Sequence, residues 1–220
     1  MKKIKRLAAV LLAFSMVFLL SACGAKGPTA ADAEHYVQAI LDFLTTGDYD
    51  RSINLADADE LEDAVQKAID QSMEQLVGEL GDVELSDEAK ASVYDMITTM
   101  FSKVQYTVGS AVKVDGGYDV PVTVIPIQMT GELETAAQDA VSDGVTELLN
   151  DPNVQSMTEE ELTNRLLVMV MNAMKEQLEK NPTYGEPTEV TVRYQELEEG
   201  LWGVNEADGE KLGSAMIRSN

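Results

Sequence analysis

Residues 103–125 read KVQYTVGSAVKVDGGYDVPVTVI, and the apolar period changes there. Just before this stretch Val93, Met96, Ile97, Met100 and Phe101 recur at spacings of three and four, which marks an amphipathic helix. Within it Val104, Tyr106 and Val108 alternate with Gln105 and Thr107, the pattern of a half-buried strand. Asp115-Gly116-Gly117 is turn chemistry, because glycine takes positive φ at no steric cost. Val120, Val122 and Val124 then face away from Pro121 and Thr123. Pro121 and Pro126 lack amide donors, so this strand is expected at an edge or with bulges. The stretch predicts a long twisted hairpin.

Toward the N-terminus, Thr29-Ala30-Ala31-Asp32 is a capping box opening a helix with Tyr36, Val37, Ile40, Leu41 and Leu44 on one face. A short helix through Ile53 and Leu55 is expected next, then a longer one over about 59–80. Ser86-Asp87-Glu88 begins the helix that leads into the hairpin. Toward the C-terminus, helices are expected over about 131–149 and 158–179, the second opened by Thr158 with Glu161 and stopped by Asn181-Pro182. Val190, Val192 and Tyr194 form another strand, Glu198-Glu199-Gly200 turns, and Leu201 to Val204 returns. Residues 212–217 read equally as strand or tail. Helices, hairpin, helices, hairpin: this order predicts one α+β domain over 29–220, with a curved antiparallel sheet of two hairpins against long amphipathic helices.

The first six residues are basic, and Leu7 to Leu20 is an uncharged apolar run of 14 residues. As a helix it would span ~21 Å, short of the ~30 Å hydrocarbon core, so residues 1–22 read as an export signal. Leu20-Ser21-Ala22-Cys23 resembles the bacterial lipobox. That resemblance implies cleavage before Cys23 and a diacylglycerol on its thiol. Cys23 is the only cysteine, so no disulfide within the chain is available, and lipid would remove a reactive thiol from an oxidising space. Two acyl chains hold stably where one does not. Residues 23–28 would then be a lipidated cysteine with a flexible tether, and the protein would sit on the extracytoplasmic face of the membrane.

From Cys23 onward twelve Lys and Arg face 39 Asp and Glu, a net charge of −27. Such a field repels phosphate, so nucleic acid is not an expected partner. Nor does the sequence offer a familiar catalytic set. His35 is the one histidine, which leaves too few zinc ligands and no histidine-paired cysteine, since Cys23 is committed to lipid. The Gly-x-Ser-x-Gly elbow and the phosphate-binding glycine loops are absent from the sequence. Acids crowd residues 57–63 and 159–161, where helix dipoles favour negative charge. A calcium loop would need glycine at its sixth position, where Ile53 or Leu55 would fall. No metal, no catalytic residue and no cofactor beyond the acyl group are expected.

The N-terminal helix with its Gly47-Asp48-Tyr49-Asp50 step, followed by a curved antiparallel sheet, resembles the NTF2-like or cystatin-like α+β rolls. Small lipoproteins of Gram-positive bacteria often carry such domains, which host enzymes, binders and scaffolds alike. The leading expectation is a non-enzymatic domain that binds a small ligand, a peptide or a partner protein on the sheet's concave face. Tyr106, Tyr118 and Tyr194 would line that face, and Trp202 would be either core or binding residue. Met157, Met169, Met171 and Met174 accompany the helix over 158–179, which is apolar all round at 166–171 and reads as core helix, groove or dimer seam. A homodimeric assembly protein is the alternative, and a carboxylate-based hydrolase a third.

Overall fold

The computed structural model describes residues 18–21, 27–48, 70, 84–129, 131–198 and 200–218. The expected helix near 53–55, that over 59–80 except residue 70, the acids of 57–63, and Cys23 lie outside the described residues. Those that are described form an α+β fold, with a strongly curled antiparallel sheet packed against helices.

Helix α1 (Ala30–Thr46) starts where the sequence predicts. The Thr29 hydroxyl accepts from the Asp32 amide at 3.3 Å, and Asp32 accepts from the Thr29 amide at 2.7 Å. Gly47 closes it at φ 71°, a left-handed cap that costs glycine little. Its inner face buries Tyr36, Val37, Ile40 and Leu41 almost completely. Val37, Ile40 and Leu41 each stabilise the fold by roughly 1.5–3 kcal/mol relative to exposure. Helix α2 (Asp87–Ser102), capped by Ser86, leads into the strands.

The sheet contains β1 (Phe18–Ser21), β2 (Gln105–Val108), β3 (Val112–Val114), β4 (Gly117–Ile125), β6 (Thr188–Glu198) and β7 (Leu201–Val204). Its order is β1-β7-β6-β4-β2, with β3 also on β4, and every pairing in it is antiparallel. A two-residue parallel pair, β5 (Ile127–Gln128) with β8 (Ile217–Arg218), stands apart. Strand β4 is central, not an edge, which corrects the expectation drawn from its prolines. The missing donor of Pro121 is accommodated on the partner side. Strand β2 ends at Val108 and β3 begins at Val112, so the ladder is interrupted there. Across the gap the Gly109 amide donates to the Pro121 carbonyl at 2.7 Å. A Cβ on Gly109 would meet the proline ring at 3.0 Å, so glycine permits the approach.

Register places Tyr106, Val108, Tyr118, Val120, Val122, Val124, Val190, Val192, Tyr194, Trp202 and Val204 on one face. Helix α1 lies against that face. Strand β1, from the segment read as signal, pairs with β7 through Phe18↔Val204 to Ser21↔Leu201.

Helices α3 (Glu132–Asn150) and α4 (Glu159–Lys180) form an antiparallel hairpin. The Thr158–Glu161 capping box forms as read. Helix α4 lies between its neighbours: Lys175 reaches Asp95 of α2 at 3.1 Å, and Gln177 reaches Glu132 of α3 at 3.0 Å. Residues 212–217, expected as strand or tail, mostly continue a helix, α5 (Glu206–Met216). Gly209 and Gly213 weaken its helical signal in sequence. Its N-cap is Asn205, which accepts from the Asp208 amide at 2.9 Å, while Leu212 and Met216 are buried.

Candidate binding groove on the helical layer

Three of the four aromatics proposed from sequence come together. Tyr118 is the register partner of Tyr194, and Tyr194 lies 5.8 Å from Trp202, centroid to centroid. Tyr36 of α1 joins them, 5.0 Å from Tyr194. Tyr106 stands apart, opposite Val124 and six residues along β4 from Tyr118, ~20 Å away at ~3.3 Å per residue. These rings do not line an open cleft, because α1 fills the concavity: Tyr36, Tyr118 and Tyr194 are buried and Trp202 is half-buried.

Their contacts explain them as structural residues. The Tyr118 hydroxyl donates to the Pro28 carbonyl at 2.8 Å, and a Cβ on Gly27 would stand 3.9 Å from the Trp202 ring. The last residue of the tether, Pro28, is therefore held on the domain, a restraint that composition did not reveal. Burial pushes the Tyr36 and Tyr194 hydroxyls well above the ordinary phenol range. Tyr106 donates to Asp42, and Gln38 donates to the same carboxylate at 2.8 Å. Burial first, and the Asp42 hydrogen bond second, raise the Tyr106 phenol to about 12.

Open space lies instead on the helical layer. A groove of about 550 Å³ follows the seam between α3 and α4, lined by Ala136, Ala140, Asn172, Ala173 and Met169 among others. A second concavity, about 670 Å³, shares Met169 and widens the seam toward the start of α4. Residues 84–90 at the head of α2 form its third wall, with Val168 and Met169 as apolar floor. Small side chains keep the seam low, and the helices approach closely at Gly144, where a Cβ would stand 2.8 Å from Leu166.

Asn164 fixes the wide end. Its side chain accepts from the Ser86 amide at 2.8 Å and donates to the carbonyls of Glu84 at 2.9 Å and Glu160 at 3.0 Å. Arg165 bridges Glu147 at 3.0 Å and Asp151 at 2.7 Å. The Asn153 amide, followed by Arg165, holds the Asp151 carboxyl below its usual range. Carboxylates dominate the walls: Glu84, Asp87, Glu88, Glu147, Glu160 and Glu161 face Lys90 and Arg165.

The methionines divide between roles. Met171 and Met174 are core, Met169 forms groove floor, and Met157 is half-buried after the short 3₁₀ turn at Val154–Ser156. A period count marks the helix but not which flank its neighbours leave bare. His35 is exposed on α1. Among the described residues no group of three or more His, Cys, Asp or Glu is placed to hold a metal ion.

No protein-family profile and no curated protein matches the chain. A solved structure does: a Bacillus subtilis protein, ycdA, provisionally described as a lipoprotein, with TM-score 0.61 and 16% identity. The match covers 85% of this chain and 56% of that one, so this chain spans little over half of its neighbour's length. At that identity the likeness establishes a shared fold.

Proposed function

We propose that the protein is a lipid-anchored extracytoplasmic lipoprotein that acts by binding, without catalysis, through the groove on its helical layer. Cys23 is the lipidation site, residues 1–22 are the signal, and the membrane is reached through the acyl chains. The address rests on the lipobox-like Leu20-Ser21-Ala22-Cys23. It is supported by the fold likeness to a protein provisionally described as a lipoprotein. The curled sheet with α1 in its concavity supports a relation to the NTF2-like or cystatin-like rolls, to which the α3–α4 hairpin is an addition.

One observation carries the binding reading: the sheet's concave face is occupied by α1, whereas the seam on α4 is open and half-apolar. A photoreactive residue at exposed Asn172 in the groove tests it in cells. Discrete adducts are expected from there and not from exposed Thr191, on β6; the reverse pattern would refute the assignment.

A second reading, a homodimer, has its own support. Val141, Val145 and Leu149 form an exposed apolar stripe on α3, with Leu149 74% exposed. Light scattering of the full chain in detergent tests it, and a strict monomer removes it.

A further inference from the structure

We infer that the groove receives a cationic amphipathic helix of a partner protein. The inference rests on the binding reading above and adds the chemistry of the occupant. The floor and the walls ask for different things. Val168 and Met169 are half-buried apolar side chains at the wide end, and Ala136, Ala140 and Ala173 continue a low apolar seam along α3 and α4. A single stripe of apolar side chains at helical spacing fits such a seam, as in helix-in-groove recognition. From Glu161 to Lys180 the seam follows α4 for ~28 Å, the length of roughly 19 helical residues. Met169 sits where the two concavities meet, and a flexible thioether adapts to what lies on it.

The walls set the sign. Arg165 is already engaged by Glu147 and Asp151, and Lys180 by Glu176, so Lys90 is the wall cation outside these pairs, against several carboxylates. Glu84, Asp87, Glu88 and Glu160 have no cationic partner among the described residues. Further along, Asp139 and Asp143 extend the negative wall on α3. Lysines or arginines flanking the apolar stripe of an incoming helix would meet these carboxylates, and the overall negative charge would steer it inward. An anionic or purely apolar helix would leave the wall charges opposed or unmatched. A bound metal ion does not suit carboxylates spread along a seam of this length.

Three synthetic 18-residue probes test this against the full chain in non-ionic micelles, read by fluorescence anisotropy. One is a leucine–lysine amphipathic helix, one replaces its lysines by glutamate, and one replaces its leucines by serine. Partition into micelles is common to all protein variants and cancels between them. The leucine–lysine helix should bind saturably and lose affinity as salt rises. Combining Glu84→Gln, Glu88→Gln and Glu160→Gln should weaken it about tenfold, while Glu186→Gln with Glu189→Gln on the sheet side should change it less than about twofold. Unchanged affinity in the groove variant overturns the proposal, and so does equal binding of the leucine-free peptide. Binding of the glutamate peptide, abolished by Met169→Lys, overturns the cationic assignment and leaves a peptide-binding groove standing. Failure of all three probes overturns the proposal, and crosslinking from Asn172 then decides separately whether the groove binds at all.

Discussion

At the scale of single residues, the hydroxyl of Tyr36 is buried without a hydrogen-bond partner among the described residues. An orphaned polar atom of this kind costs about 1–3 kcal/mol, so Tyr36→Phe should stabilise the fold by about 1 kcal/mol in urea denaturation. A loss of stability would mean that the hydroxyl is satisfied. Phenol ionisation gives a second prediction. Tyr106 is raised to about 12, with Tyr36 and Tyr194 also raised, so folding favours their neutral forms. Their contribution is complete below pH ~10, where phenols ionise in the unfolded chain, and is lost as pH climbs through the folded values. Ultraviolet titration of the seven tyrosines should therefore show a late group that ionises with unfolding. A single transition near pH 10 in a still-folded protein would contradict this. Gly117 shows how one missing side chain permits the sheet: a Cβ there would stand 2.2 Å from the Tyr194 carbonyl. Gly117→Ala should cost about 3 kcal/mol, measured as a lower urea midpoint.

At the scale of elements, periodicity and capping chemistry made most of the fold legible. Both capping boxes, the helix that precedes the strands and the Gly116 turn occur where the sequence places them. Three things were not legible, each for a physical reason. Pro121 argued for an edge because sequence shows a lost donor but not that β2 and β3 part opposite it. Helix α5 was hidden by two glycines, whose cost is offset by burying Leu212 and Met216. The open groove lies on α4, whose apolar faces look alike in sequence; which one stays bare depends on where α2 and α3 pack. Asn164 joins α4 to the head of α2 through hydrogen bonds with Ser86 and Glu84, and bonds Glu160 within its own helix. Asn164→Ala should cost about 1–3 kcal/mol by leaving buried backbone groups unpaired. The head of α2 should then exchange its amides faster than α3 does, and uniform protection would contradict this linkage.

For the whole molecule, the proposed reading has the chain held outside the cell by lipid on Cys23, with the groove as its working surface. Cleavage before Cys23 would also remove β1 and bare the outer edge of β7, so Leu201 to Val204 should exchange amides faster in the processed protein than in the precursor. The aromatic residues first proposed as a pocket gain a different meaning at this scale. Tyr118 holds Pro28, so a lipid on Cys23 would be five steps from the domain, ~17 Å when stretched. The domain would therefore sit close to the membrane surface. Mass spectrometry of the N-terminal peptide from purified membranes tests this account most directly. It predicts a chain beginning at Cys23 with diacylglycerol on its sulfur, and a Cys23→Ala variant that accumulates as precursor. A chain that keeps Met1 and a free thiol would contradict it.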